Sequence, residues 1–159
     1  MPDIPLPEDL STYIRTLESR IRALETAPRA VNTSQPWQFA SADATFTTSS
    51  LTYVDSSPAG PTLTLQLNNA GNVLITAGAY IGLNDVNQTA AVSLNVNGAN
   101  YIDILALGSS SGTAFTIATN VSSTRVIALA AGIYTFKLQY KVTASSANFS
   151  ARSLSIQPF

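Results

Sequence analysis

Outside its first 36 residues the sequence holds four carboxylates, Asp43, Asp55, Asp85 and Asp103. A glycosidase needs two such groups flanking a cleft, one to protonate the leaving oxygen and one to act as base or nucleophile. A pair drawn from these four, even across a subunit boundary, would have the right chemistry. Each, however, sits beside turn-forming residues, where Asp commonly bonds its own backbone. The expectation is therefore four loop residues, no catalytic site and no enzyme. Histidine, the usual proton-transfer group near neutral pH, does not occur in the chain, which excludes Ser-His-Asp and Cys-His sites. Cysteine is absent too, so there is no thiolate nucleophile, disulfide framework or zinc cluster, as suits assembly in a reducing cytoplasm. The stretch NDVNQT around Asp85 offers oxygen ligands but lacks the spaced carboxylates of a calcium loop. Neither a metal nor a cofactor is expected. Sequons at Asn32, Asn87, Asn120 and Asn148 match a glycosylation acceptor, but chance accounts for them in a chain so rich in Asn, Ser and Thr.

The elements that carry these residues must form one domain with an appendage, since 159 residues leave little room for a second full core. With 45% hydrophobic and 11% charged residues and a net charge of -1, the chain lacks the basic surplus that attracts nucleic-acid backbones. No apolar run reaches the length of a membrane span, and MPDIPLPEDL has no basic segment followed by an apolar one. Nucleic acid is excluded as a partner, and neither secretion nor membrane insertion is expected.

Charge divides the chain. Residues 1–36 hold Asp3, Glu8, Asp9, Glu18 and Glu25 against Arg15, Arg20, Arg22 and Arg29, whereas residues 37–159 are nearly uncharged. Pro2, Pro5 and Pro7 keep residues 1–6 extended. Pro suits the first helical position, and Glu8 and Asp9 favour the first turn, so a helix is predicted over 7–27, ended by Pro28. Along it Leu10, Ile14, Leu17, Ile21 and Leu24 alternate spacings of four and three, a heptad seam with Ile at a and Leu at d. The stripe is narrow, as an intermolecular seam is, whereas a helix lying on its own core shows a broader face. Arg20 at g can meet a neighbour's Glu25 at e in a parallel bundle. Packing preference alone, with Ile at a and Leu at d, favours two strands.

Residues 28–36 read as a Pro-terminated linker and residues 37–159 as a β head. TLTLQL puts Leu63, Leu65 and Leu67 on one face. VSLNVNG does the same with Val92, Leu94 and Val96, then turns at Asn97-Gly98. In IYTFKLQYKVT the residues Tyr134, Phe136, Leu138, Tyr140 and Val142 alternate with polar ones. In NFSARSLSI, Phe149 and Ala151 are out of phase with Leu154 and Ile156, which predicts a bulge near Arg152 and Ser153. Further strands are predicted at about 43–49, 51–55, 73–82, 101–105, 114–118 and 124–129. Short strands at this spacing mean an antiparallel sandwich or barrel. Trp37 opens the head, as a plug at its junction with the helix or as an ordinary core residue.

RIRALE, residues 20–25, resembles a trimerisation signature of three-stranded coiled coils and matches it at Arg20, Ile21, Leu24 and Glu25. A helix of the type YIRTLESRIRALE, a Pro-containing linker and a β domain ending in GIYTFKLQYKV and FSARSLSIQPF resemble small structural proteins of tailed bacteriophages, those of actinobacteria in particular, and of related phage-derived particles. The head is similar in layout to trimeric jelly rolls of the tumour-necrosis-factor and complement-globular-head type, with Gly132, Tyr134 and Phe136 in the corresponding strand. The resemblance implies a mainly β protein, an antiparallel jelly-roll sandwich preceded by a short N-terminal coiled-coil helix, and it resolves the helix as a trimer. The function it implies is that of a homotrimeric virion protein, a fibre or spike. It would be assembled in the bacterial cytoplasm and docked on other virion proteins through Ile4, Pro5 and Leu6, with a host-surface glycan as its outer partner. The rival readings are a capsid decoration protein without a receptor and a carbohydrate-binding module.

Overall fold

The computed structural model describes residues 8–26, 36–109 and 117–159, with side chains in the helix at positions 10 and 12–22. The chain separates into two units, Met1–Thr33 and Ser34–Phe159. The expected anchor at Ile4, Pro5 and Leu6, the expected linker at 28–36 except Pro36, and the side chains of Leu24 and Glu25 lie outside the described residues.

Helix α1 spans Glu8–Thr26, bracketed in sequence by Pro7 and Pro28, which suit its first turn and a position beyond its end. Its seam residues Leu10, Ile14, Leu17 and Ile21 are all exposed, Ile21 to 53%. Arg20 is exposed as well.

The second unit contains nine strands among the described residues: β1 Gln38–Ala42, β2 Phe46–Thr48, β3 Thr62–Leu67, β4 Gly71–Leu83, β5 Thr89–Val96, β6 Ala99–Gly108, β7 Ile117–Leu129, β8 Gly132–Val142 and β9 Ala147–Pro158. One sheet, sheet A, has the order β1-β9-β4-β7 with β2 also paired to β9, and the other, sheet B, the order β3-β8-β5-β6. Every pairing is antiparallel. The pairs β1·β9, β3·β8, β4·β7 and β5·β6 nest inside one another, as if one long hairpin had been rolled into two layers. That nesting defines a jelly roll. The tip of the hairpin is the Asn97-Gly98 turn, where both residues have positive φ, 51° and 89°. This geometry matches the twist of a two-residue hairpin and selects Asn-Gly.

The core lies between the layers. Val73, Ile75, Ile81, Phe149, Leu154 and Ile156 from sheet A meet Leu65, Val92, Leu94, Phe136, Leu138 and Tyr140 from sheet B. The Tyr140 and Phe149 rings are 4.9 Å apart and tilted at 56°, a favourable aromatic geometry. The alternation read in β3 and β8 is the alternation observed, whereas β5 has Val92, Leu94 and Val96 in the core and the residues between them buried as well. The strands differ from expectation in three places. Of the stretches expected at 114–118 and 124–129, residues 114–116 lie outside the described residues and the rest belong to one strand, because β7 runs without a break from Ile117 to Leu129. Its polar middle, TNVSS, lies on an edge strand, where exposure removes the demand for apolar residues. The stretch 51–55 contributes a single bridge, Val54 to Tyr140. Strand β1 was not expected, because its one large side chain, Phe39, is exposed rather than in the core. The bulge occurs one residue earlier than expected. Ala151 and Arg152 fall where the β4–β9 register shifts, and Ala151 takes a φ of 44°.

Candidate functional site

The outer faces of the two sheets differ in chemistry, and the register shows how. On sheet A, Phe39 lies opposite Ser155, Ser155 opposite Thr76 and Thr76 opposite Thr124, with Leu74 opposite Val126 and Tyr80 opposite Asn120. All are on the side away from the core. Among the described strands of this sheet no charged residue shares that side, since Arg125 lies opposite core-facing Ile75 and Arg152 is itself buried. Trp37 is 60% exposed, and Val126, Phe39 and Tyr80 are exposed as well. Gly78 leaves no bulk here, since a Cβ on it would meet Ser153 Oγ at 2.8 Å. The face is broad, small-grained and uncharged. Trp37 is therefore not a core residue; it stacks on Phe39 with ring centroids 5.7 Å apart.

The outer face of sheet B carries the charges. Lys137 Nζ donates to Asp55 Oδ2 at 2.8 Å, and Gln139 Nε2 donates to Asp55 Oδ1 at 2.7 Å. Asn95 Nδ2 donates to Gln139 Oε1 and to Asn100 Oδ1, and Gly98 N donates to Asn95 Oδ1. Lys141 sits 3.9 Å from Asp103 and 4.3 Å from the centre of the Tyr53 ring. These long side chains cover Ala91, Ser93 and Asn95, which are buried although they point away from the core. Tyr53 lies beside Asp103 without closing a hydrogen bond to it, and burial, reinforced by that carboxylate, raises the phenol well above its ordinary value.

Among the described residues no three acidic side chains gather into a cluster that could hold a metal ion. Asp85 accepts a hydrogen bond from Val86 N at 2.7 Å, the backbone bond expected of a loop Asp. Asp43 lies between β1 and β2. Asp55 is a loop residue too, but it bonds side chains rather than its own backbone, and Asp103 departs from the loop expectation. Asp103 is within β6 and each is matched to a different lysine. Asp55 helps line a cleft of about 120 Å³ with Ser56, Gly60, Pro61 and Lys137. The Lys137 and Gln139 bonds hold its carboxyl below the usual range. A depressed value means that this pair's stabilisation is present above the unfolded carboxyl pKa near 3.8 and is lost as pH falls through the lower folded value. Both side chains are partly exposed, so Asp55→Asn should cost less than about 1 kcal/mol at pH 7 in urea melts, and parent and variant should converge as pH falls through that lowered value.

One group was missed by sequence reasoning. Arg152 is completely buried, turned inward by the bulge, whose position was legible but whose consequence for the side chain was not.

No protein-family model matches the chain, and no curated protein matches it. Among solved structures, it is similar to the Eiger tumour-necrosis-factor structure from S. frugiperda, at a TM-score of 0.49 and 13% identity over 79% of this chain and 94% of that one. It is also similar to the VP2 subviral particle of infectious bursal disease virus, at 0.45 and 12% over 99% of this chain and 37% of that one. A third likeness is to a cycloisomaltooligosaccharide glucanotransferase of Paenibacillus sp., at 0.35 and 16% over 76% of this chain and 18% of that one. This chain thus spans little more than a third of the viral protein and under a fifth of the enzyme. Likenesses this distant bear on neither activity nor partner, and the jelly-roll assignment rests on the strand order itself.

Proposed function

We propose that this chain is a homotrimeric structural protein of a phage or phage-like particle, displayed on the particle surface and without catalytic activity. The observation that carries self-association is the contrast between the two sheets. Sheet B presents ion pairs and amides to solvent, whereas sheet A presents an uncharged face with exposed Trp37, Phe39, Tyr80 and Val126. Exposed apolar patches rimmed by polar residues mark interaction surfaces, and depletion of charge is the signature of an interface core. The exposed seam of α1 supplies a second such surface on the same chain. Two self-associating surfaces joined by a short linker reinforce each other, because the first association raises the effective concentration for the second. The number three and the phage setting rest on the sequence resemblance, through Arg20, Ile21, Leu24 and Glu25 and the form of the head.

Light scattering at micromolar concentration should give about 50 kDa, three times the 16.7 kDa chain; a monomer or dimer overturns the proposal. Residues 1–6 are assigned to docking on other virion proteins, since a proline-stiffened peptide loses little entropy on binding. Their deletion should leave a folded trimer with an unchanged melting temperature that no longer co-purifies with particles. Assembly of the truncated chain at parental copy number would place the attachment elsewhere.

A host-surface glycan is the proposed outer partner, and decoration without a receptor is the alternative. Binding of the trimer to host cell-wall glycans separates the two. The stacked Trp37–Phe39 pair favours a second reading, a carbohydrate-binding module, because exposed aromatic platforms suit sugar rings. Glycan binding abolished by Trp37→Ala in a monomeric chain would establish it.

A further inference from the structure

Arg152 combines two costs at one place. Regular alternation from Phe149 would turn Ala151 inward and Arg152 outward. The strand instead bulges, with Ala151 in the left-handed region at φ 44°, where a Cβ is unfavourable. The result is a guanidinium with 0% exposure. Arginine does not deprotonate in proteins, so a full positive charge is enclosed. Among the described residues no carboxylate lies within ion-pair distance of it. Among the described residues its guanidinium makes one hydrogen bond, from Nη2 to Ala44 O at 2.9 Å, and the centre of the Tyr140 ring lies 5.7 Å away.

Apart from Ala44 O, the polar atoms around it all carry hydrogens to give, the two hydroxyls being able to accept as well. Arg152 Nε and Nη1, Tyr140 Oη and Ser56 Oγ have no hydrogen-bond partner among the described residues. They cluster against Gly60, whose backbone packs closely on all three side chains: a Cβ added to it would lie 2.9 Å from Ser56 Oγ, 3.2 Å from Tyr140 Oη and 3.5 Å from Arg152 Nη1. Tyr140 does not serve as the counter-charge. Burial raises its phenol above the ordinary value despite the neighbouring guanidinium, which keeps it a neutral donor at pH 7. Ser56 and Gly60 also line the cleft beside Asp55, so the cluster adjoins a route from solvent.

We propose that Arg152, Tyr140 and Ser56 form an internal binding site for one small monovalent anion of halide size. A buried charge is retained only when it is paired or heavily hydrogen-bonded. Water would accept the spare hydrogens but leave the charge uncompensated, whereas a monovalent anion answers both needs. A dianion would reverse the imbalance. Gly60 packs so closely on the cluster that a single atom is the most it could admit, which rules out a tetrahedral oxyanion. The side chains come from β8, β9 and the loop before β3, so the anion would tie the two sheets together from inside.

The test is thermal unfolding of the full chain at constant ionic strength, with sodium chloride replaced stepwise by sodium gluconate, whose anion is too large for the site. The midpoint should be on the order of 5 °C higher in 0.5 M chloride, rising with the logarithm of its concentration. Arg152→Leu should abolish the chloride-dependent part, and the double variant Ser56→Ala, Tyr140→Phe, which keeps the shape of the core, should reduce it by at least half even if the arginine variant does not fold. A crystal grown in sodium bromide should show an anomalous peak within about 3.5 Å of Arg152 Nη1. Equal midpoints in chloride and gluconate, or bromide seen only at the surface with water beside Arg152, would overturn the proposal. The chloride-dependent shift is read separately from the mass, so it stands or fails independently of the trimer.

Discussion

A chain carrying Ile21→Asp together with Val126→Asp is expected to sediment and scatter as a single 16.7 kDa species while keeping the circular dichroism of the parent. Both residues are exposed in the isolated chain, at 53% and 54%, so neither substitution disturbs a core. In a trimer each would place three carboxylates together, and an unpaired buried charge costs several kcal/mol. The single variants should differ. Ile21→Asp opens only a helix of 19 residues, and a coil that short contributes modestly, so its heads should still associate with a lower and concentration-dependent melting point. Val126→Asp should have the larger effect. Ile133→Asp is the control, because Ile133 is equally exposed but lies on β8 in phase with Lys137, on the charged outer side of sheet B. It should leave the mass unchanged. A double variant that keeps the parental mass would remove both surfaces from the assembly.

What the sequence disclosed and what it withheld follow from how strongly each element is coupled to the core. Strands β3, β5 and β8 were legible because each has one face in the core, so alternation had to be kept at Leu63, Val92 and Phe136 and their neighbours. The hairpin tip was legible because only residues that tolerate positive φ fit at Asn97 and Gly98. Strand β7 was split in the reading because it is an edge, where residues such as Asn120 and Ser122 meet solvent and carry no hydrophobic signal. The uncharged face of sheet A was invisible for another reason. It is assembled from β1, β9, β4 and β7, which are distant in sequence, and the lack of charge on one side of a sheet becomes evident only once register assigns each residue a side. Arg152 shows the same limit in miniature. The phase break announced a bulge, but pairing with β4 decides which residue turns inward.

The bulge also sets the largest stability effect. Phe149 and Leu154 are five residues apart, so in an unbroken strand they would face opposite sides of the sheet, yet both have 0% exposure. Phe149→Ala and Leu154→Ala should therefore each be severely destabilising. For Phe149 the loss includes contacts with the Tyr140 ring at 4.9 Å and with the Phe46 ring at 6.4 Å. Truncating a buried Phe costs about 3–5 kcal/mol and a buried Leu about 2–5 kcal/mol, large fractions of a domain stability of about 5–15 kcal/mol. The measurement belongs in the Ile21→Asp, Val126→Asp background, where subunit association does not enter the free energy. Urea melts should show midpoints that fall steeply at unchanged slope, the mark of lost stability rather than a changed unfolded state. Phe39→Ala, on the exposed side of β1, should cost less than about 0.5 kcal/mol in the same background. If only one of Phe149 and Leu154 proved costly, β9 would run without its bulge, Arg152 would face solvent, and the anion site would disappear with it.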